Sequence, residues 1–232
     1  MGILYLHEIV DVVPTRAADY LEGIGRHQGE QRRARGETNS MLGLWMGLEA
    51  CGSFPVAINL WENRSWQRQA EAMESQFEPK RQSATLKSWW LANLDLRRGG
   101  FDRLVESTIY TADVAGLRAK EVAAGLVVHQ LVKTKGGAIG DYLDALGEEG
   151  IPALRMAGAN LVGAYRVCLR DDEALVLLGL SDATGIGSFL AAWHGEEDSP
   201  LKRWREREDT WVHGKETLLL RPRHFLTSPW HD

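Results

Sequence analysis

An α+β fold, two tandem βαββαβ repeats closing against each other as a barrel, is predicted for this chain by three observations. Residues 3–25, ILYLHEIVDVVPTRAADYLEGIG, return without a gap 122 positions later as residues 125–147, GLVVHQLVKTKGGAIGDYLDALG. From His7 to Gly25 the copies agree at six positions, His, Val, Asp, Tyr, Leu and Gly, where composition alone gives roughly one. Later anchors also correspond, Leu60 with Leu180 and the LKSW ending at Trp89 with the LKRW ending at Trp204. The order of elements read from periodicity is the same in both halves, so the repeats are placed at residues 1–112 and 113–232.

Residues 3–12 form a strand rich in Ile, Leu, Tyr and Val that ends before Pro14. Thr15 caps a helix whose apolar stripe is Ala17, Tyr20, Leu21 and Ile24. After a polar stretch, residues 41–49 and 55–62 are strand-like runs around the turn CGS and read as a hairpin. Ser65 caps a second helix, which the segment LKSWWLANLDL continues until Gly99 and Gly100 stop it, and residues 101–106 add a fourth strand. The linker, residues 107–124, is partly helical. In the second half, residues 126–132 are a strand, and Gly136 and Gly137 turn the chain into a helix reaching about Met156. Residues 160–169 and 174–180 pair through the turn RDDE. A helix pair, GIGSFLAAWHG and SPLKRWREREDTWVHG, leads to a last strand at residues 216–221.

Composition restricts function. Hydrophobic content of 44% and charged content of 25% are those of an ordinary globular chain, against both disorder and a membrane span. A net charge of −5 argues against nucleic acid, and the basic runs at 31–37 and 201–209 are diluted by acids like solvated helix faces. Cys51 and Cys168 fit no CxxC pattern and read as buried or idle thiols. The start of the chain lacks a basic n-region and a long apolar run, so a cytoplasmic protein is expected.

A βαββαβ unit is the ferredoxin-like split motif, a four-stranded antiparallel sheet with helices on one face. Two units in one chain can bury their open faces against each other, which is the pseudo-dimeric α+β barrel. Alternation along the first strand assigns Leu4, Leu6 and Val10, with Leu126, Val128 and Val132, to the helix side. Tyr5, His7, Ile9 and Asp11, with Val127, His129, Leu131 and Lys133, then face the space between the sheets. His7 and His129 are therefore candidate general acid/base groups, since imidazole titrates near neutrality. If the faces are swapped, Glu8 and Gln130 take their place. A structural hydrogen bond kept in both copies is the competing reading.

Tyr5 and Asn59 are candidates to position a substrate oxygen. Trp45, Trp61 and Tyr165 supply walls, and Arg166 and Arg103 polar contacts, the composition of a small-molecule pocket. Arg103 and Glu106, with Arg221 opposite Glu106 in the repeat, are a candidate ion pair. The helix tryptophans Trp89, Trp90, Trp193, Trp204 and Trp211 read as packing residues.

The run Leu60-Trp61-Glu62-Asn63-Arg64-Ser65-Trp66-Gln67-Arg68 resembles the NIPSNAP family, whose members carry a strand ending in Leu-Trp, a short polar turn with Ser, and an Arg-bearing helix. The chain departs at Asn63, where the family usually has an aromatic, and in the spacing of the Arg. In the second half Leu180-Ser181-Asp182 lacks the Trp. The resemblance implies a dimeric α+β barrel in a cytoplasmic, often oligomeric protein. The family shares no catalytic motif, so no active residue is carried over.

The chain contains no GxSxG elbow, Walker loop, complete GxGxxG or HExxH. No acidic or histidine partners cluster around His7 or His129, so no metal is expected. His194 and His213, the axial candidates for a heme, are flanked by charge. These features predict a cofactor-independent enzyme that moves a proton on a small apolar or aromatic metabolite, a lyase or isomerase, in a homo-oligomer. The alternatives are a non-catalytic ligand-binding protein and, third, a heme-binding or cofactor-free monooxygenase barrel.

Overall fold

The structure is a computed structural model that describes residues 2–26, 40–48, 52, 54–63, 65–77, 84–120, 122, 124–195 and 197–225. Expectations resting on residues 27–39, Glu49, Cys51, Ser53, Arg64 and the side chains of Trp89 and Trp90 lie outside the described residues.

Eight strands, β1 (Leu4–Val12), β2 (Ser40–Gly47), β3 (Val56–Glu62), β4 (Arg97–Ser107), β5 (Leu126–Thr134), β6 (Asn160–Val167), β7 (Glu173–Leu180) and β8 (Val212–Phe225), close into one barrel. Around it the order is β1-β3-β2-β8-β5-β7-β6-β4, and every neighbouring pair is antiparallel. In each half the order is fourth, first, third, second. The halves meet at two seams, β2 with β8 and β4 with β6, the latter paired only from Val105 to Ser107 on β4.

Alternation along β1 and β5 divides the apolar residues between separate cores. Tyr5, Ile9, Val127 and Leu131 join Leu42, Trp45, Ile58, Leu60, Tyr165, Leu175, Leu177, Leu218 and others in one buried cluster inside the barrel. Val10 and Val12 pack outward on Tyr20 and Ile24 of α1 (Ala17–Arg26). Val128 and Val132 pack outward on α5 (Ile139–Ala145), α6 (Ile151–Met156) and the π-turn between them, Leu146–Gly150. An eight-stranded barrel has an interior wide enough for side chains to fill or for one small ligand, and three fully buried aromatic residues, Tyr5, Trp45 and Tyr165, line this one. Asp11 and Lys133, expected inward, lie at strand ends and reach the exposed rim.

The remaining helices are α2 (Trp66–Phe77), α3 (Ala84–Asn93), α4 (Val114–Ala119), α7 (Ala183–His194) and α8 (Pro200–Glu208). Four begin at side-chain caps: Ser65, as expected, accepts from the Arg68 N–H at 3.3 Å, Asp113 from Gly116 at 2.6 Å, Asp182 from Gly185 at 2.9 Å and Ser199 from Lys202 at 3.1 Å. Among the described residues no helix is long and apolar enough to cross a membrane.

Three boundaries differ from the sequence reading. Thr15 does not cap the first helix: it lies within a 3-10 turn, Pro14–Arg16, without a side-chain cap, and α1 follows at Ala17. The double glycine does not stop a helix. The helical stretch ends at Leu96 and Gly99 and Gly100 lie within β4, where Gly100, at φ +141°, brings the backbone so close to β1 that a Cβ would sit 2.2 Å from the Ile9 carbonyl oxygen. The last strand starts at Val212, so His213 belongs to a strand and not to a helix.

Candidate functional site

The two histidines that the repeat places 122 residues apart meet at the centre of the barrel. His7 stands across from Leu60 on β3 and Arg103 on β4, and His129 across from Leu177 on β7 and Leu218 on β8. Their Nε2 atoms are 3.0 Å apart, with the rings inclined at 23° and neither exposed to solvent. Burial, then the neighbouring imidazole, then the Arg103 charge hold the His7 pKa well below the usual range. Burial lowers that of His129 to about 3, its own backbone opposing and Arg103 adding to the effect. Both imidazoles are neutral at pH 7, so one Nε2 carries the hydrogen and donates it to the other.

That arrangement assigns the outer nitrogens. The imidazole that donates through Nε2 has a lone pair on Nδ1, and the one that accepts has a hydrogen there. Neither Nδ1 has a hydrogen-bond partner, and the enclosed Tyr165 Oη and Arg103 Nη1 have none either. Each such group costs about 1–3 kcal/mol when buried. Four of them on the inward faces of β1, β4, β5 and β6 form a polar centre within an apolar lining, the composition of a small-molecule site.

Aromatic rings frame this centre. Tyr5 meets Tyr165 edge-on, centroids 5.2 Å apart. The Trp45 ring folds back over Gly43 and the Tyr165 ring over Gly163, where a Cβ would fall 2.1 Å and 2.2 Å from the respective rings or their substituents. Gly-x-aromatic is the same device on β2 and β6. Glu62, at the end of β3, accepts from the Tyr5 hydroxyl at 3.3 Å and from the Val114 N–H at 3.0 Å, tying α4 to the barrel. Burial first, with Tyr165 and Glu62 adding, raises the Tyr5 pKa; burial and then Glu62 raise that of Tyr165. Glu62→Ala strips the acceptor from two buried donors and should cost about 2–4 kcal/mol in urea unfolding, with Glu62→Gln recovering part. An unchanged midpoint for Glu62→Ala would show that α4 is held by other contacts.

At one side the centre is closed by Arg103, whose side chain is 19% exposed. Its Nε lies 3.6 Å from Glu173, whose carboxylate is also 4.0 Å from Lys133, and its guanidinium sits 4.3 Å over the Phe101 ring.

Of the sequence-predicted site residues, the structure brings together His7, His129, Tyr5, Trp45, Tyr165 and Arg103. It places three elsewhere. Asn59 and Trp61 point outward: Asn59 lies across from Glu8, and both donate to the Glu8 carboxylate, Asn59 at 3.2 Å. Asn59 also bonds the Tyr20 hydroxyl at 3.1 Å. Burial, then Asp102, raises the Glu8 pKa. Arg166 is half exposed, 3.9 Å from Asp171. The expected Arg103–Glu106 pair does not form, because residues three apart on a strand face opposite sides. Glu106 instead accepts from the Gly2 N–H at 3.0 Å, and Arg221 is exposed. The reason for the Asn59 and Trp61 error is that β3 is buried along its whole length, so apolarity does not distinguish its faces. Glu62, which sequence reasoning missed, shares the inward parity of Ile58 and Leu60, a parity that only the cross-strand register with Tyr5 reveals.

His194 and His213 are exposed, so neither offers an axial ligand inside the barrel. Among the described residues no three His, Cys, Asp or Glu side chains are grouped to hold a metal. The two Nε2 atoms, at 3.0 Å, lie closer than the roughly 3.3 Å that two nitrogen ligands of one tetrahedral zinc keep.

No protein-family model matches the chain, and no curated protein matches its sequence. Among solved structures, a provisionally assigned monooxygenase from Fusobacterium nucleatum is 9% identical, with a TM-score of 0.66 over 96% of this chain and 93% of that one. An anthrone oxidase-like protein is 10% identical, with a TM-score of 0.66 over 97% of this chain and 92% of that one. A NIPSNAP domain protein from Burkholderia xenovorans is 16% identical over 43% of this chain and 96% of that one, at a TM-score of 0.38, which does not establish membership of that family. What the two longer matches establish is the fold: this chain is an α+β protein built on a closed antiparallel barrel that those proteins share.

Proposed function

We propose that the chain is two homologous βαββαβ halves, residues 1–112 and 113–232, forming a pseudo-dimeric ferredoxin-like barrel whose interior is the active site of a cofactor-independent oxygenase. Its substrate is a small, largely aromatic carbon acid. The observation that carries this reading is the Nε2–Nε2 contact of His7 and His129 at 3.0 Å with both Nδ1 atoms open. Such a pair is a proton relay. One Nδ1 takes a proton from the substrate carbon, the bridging hydrogen shifts between the Nε2 atoms, and the other Nδ1 releases its hydrogen. No imidazolium persists in the process, which suits a site where burial disfavours the charged form.

The likeness in fold to a provisionally assigned monooxygenase and an anthrone oxidase-like protein supports oxygen as the acceptor. The carbanion left by proton removal gives its electron pair to dioxygen and forms a C–O bond. The distal oxygen takes the proton released by the relay, and the resulting hydroperoxide loses water to leave a carbonyl. In sum, one methylene group and one dioxygen become one carbonyl group and one water: the carbon is oxidised, the dioxygen is reduced, and no external reductant enters. Tyr5, Trp45 and Tyr165 wall the substrate.

An oxygen electrode tests this with anthrone and related doubly benzylic methylenes. One dioxygen should disappear per carbonyl formed, and His7→Ala and His129→Ala should each slow turnover at least about a hundredfold while remaining folded. Product formed at the wild-type rate by both variants removes the relay. Turnover with no oxygen uptake returns the protein to the lyase or isomerase class, in which the same relay puts the proton back on another carbon.

A further inference from the structure

The relay leaves the charge of Arg103 unused. Its Nη1 is enclosed and lacks a hydrogen-bond partner, while its Nε lies 3.6 Å from Oε2 of Glu173. The other oxygen of that carboxylate is 4.0 Å from Lys133. Glu173 is thus shared by two cations and can stay with Lys133 while Arg103 turns to a different anion. Arg103 stands beside His7 on the neighbouring strand, its guanidinium over Phe101, between the imidazole pair and the barrel rim. A guanidinium fork matches a carboxylate geometrically, and an enclosed one gains more from that match than an exposed one.

We propose that Arg103 receives a carboxylate, or an equivalent oxyanion, on the substrate, so that the barrel takes small aromatic acids in preference to their neutral analogues. This rests on the reading of the interior as a substrate site. It also couples binding to basicity: the Arg103 charge is among the causes that depress both imidazoles, so an anion that neutralises it makes them better bases once the substrate is in place.

Calorimetric titration with benzoate and with benzamide, its neutral isostere, tests the assignment. The wild-type protein should bind benzoate at least about tenfold more tightly than benzamide. Arg103→Gln should bind the two alike, and Arg166→Gln, which alters a half-exposed guanidinium, should keep the preference. If Arg103→Gln does not fold, Glu173→Gln serves instead: removing the competing carboxylate should tighten benzoate binding several-fold. Equal affinity of the wild type for both compounds, no binding of benzoate, a preference that survives in Arg103→Gln, or weaker or unchanged benzoate binding in Glu173→Gln each overturns the proposal. The His7→Leu/His129→Leu double variant separates it from the relay, since it should lose turnover and keep the benzoate preference.

Discussion

Below pH 6.5 the protein should lose stability at a rate approaching about 3 kcal/mol per pH unit because of two residues, His7 and His129. Both are fully buried and held neutral, with pKa values lowered from an ordinary 6.5, that of His129 to about 3. On unfolding they regain ordinary values, so in this range the unfolded chain binds up to two protons that the folded barrel refuses. The lowered imidazole pKa values therefore carry no penalty above pH 6.5 and destabilise the fold increasingly as pH falls below it. The window from about pH 6.5 to 5 precedes most carboxylate titration. Urea unfolding of the wild type and the His7→Leu/His129→Leu double variant, repeated at half-unit steps, isolates the effect: the difference between the two curves should carry the full slope.

At pH 7.5 the double variant should lie within about 1 kcal/mol of the wild type or above it, since it removes two unpartnered Nδ1 atoms along with the bond between the rings. Either single variant leaves an Nε2 without its partner and should cost about 1–3 kcal/mol. Parallel pH curves for wild type and double variant would mean that the pair accepts protons while folded, contradicting its enclosure.

Gly163→Ala should be among the most damaging single methyl additions in the protein, costing about 3 kcal/mol. The new Cβ would stand 2.2 Å from Tyr165 Oη and 2.4 Å from its Cζ. The ring cannot yield easily, because it is fully buried with Tyr5 packed against it. Gly43→Ala should behave alike, with its Cβ 2.1 Å from Trp45 Cζ2. A double-mutant cycle makes the cause specific. In a Tyr165→Ala background, Gly163→Ala should cost less than about 1 kcal/mol, because the methyl enters space the ring has vacated. Gly187→Ala in α7, whose Cβ would meet nothing within 4 Å, is the contrast and should stabilise by up to about 1 kcal/mol. Additive costs for Gly163→Ala and Tyr165→Ala would show that the glycine serves the backbone rather than the ring.

The first strand of each half was legible because its two faces differ: a histidine or tyrosine alternates with plain aliphatic residues, and burial on a pleated strand follows that parity. That parity sets Tyr5 and His7 on one face of their strand and His129 on the matching face of its own, with the interior as the expected side and the swapped faces as the alternative. Trp45 and Tyr165, counterparts on the hairpin strands of the two halves, were legible as walls for the same space. Residues on β3 were not legible in the same way. Val56 to Glu62 are buried on both sides, so Asn59, Trp61 and Glu62 could be assigned to faces only through the cross-strand register that sets Asn59 against Glu8 and Glu62 against Tyr5. Arg103 illustrates a second limit. Its partner is Glu173, seventy positions away, and not Glu106 three residues on.

By itself, the sequence determined that the chain holds two alike β-rich stretches, each with one imidazole at the same position of its alternation, because period-two alternation is a local property of the backbone. Only the tertiary structure decided that these imidazoles face inward and touch, that their outer nitrogens are left open, and that Arg103 stands beside His7 on the neighbouring strand. Those facts depend on how two sheets far apart in sequence close across the β2–β8 and β4–β6 seams, and distance between sheets is not written in the periodicity of either one.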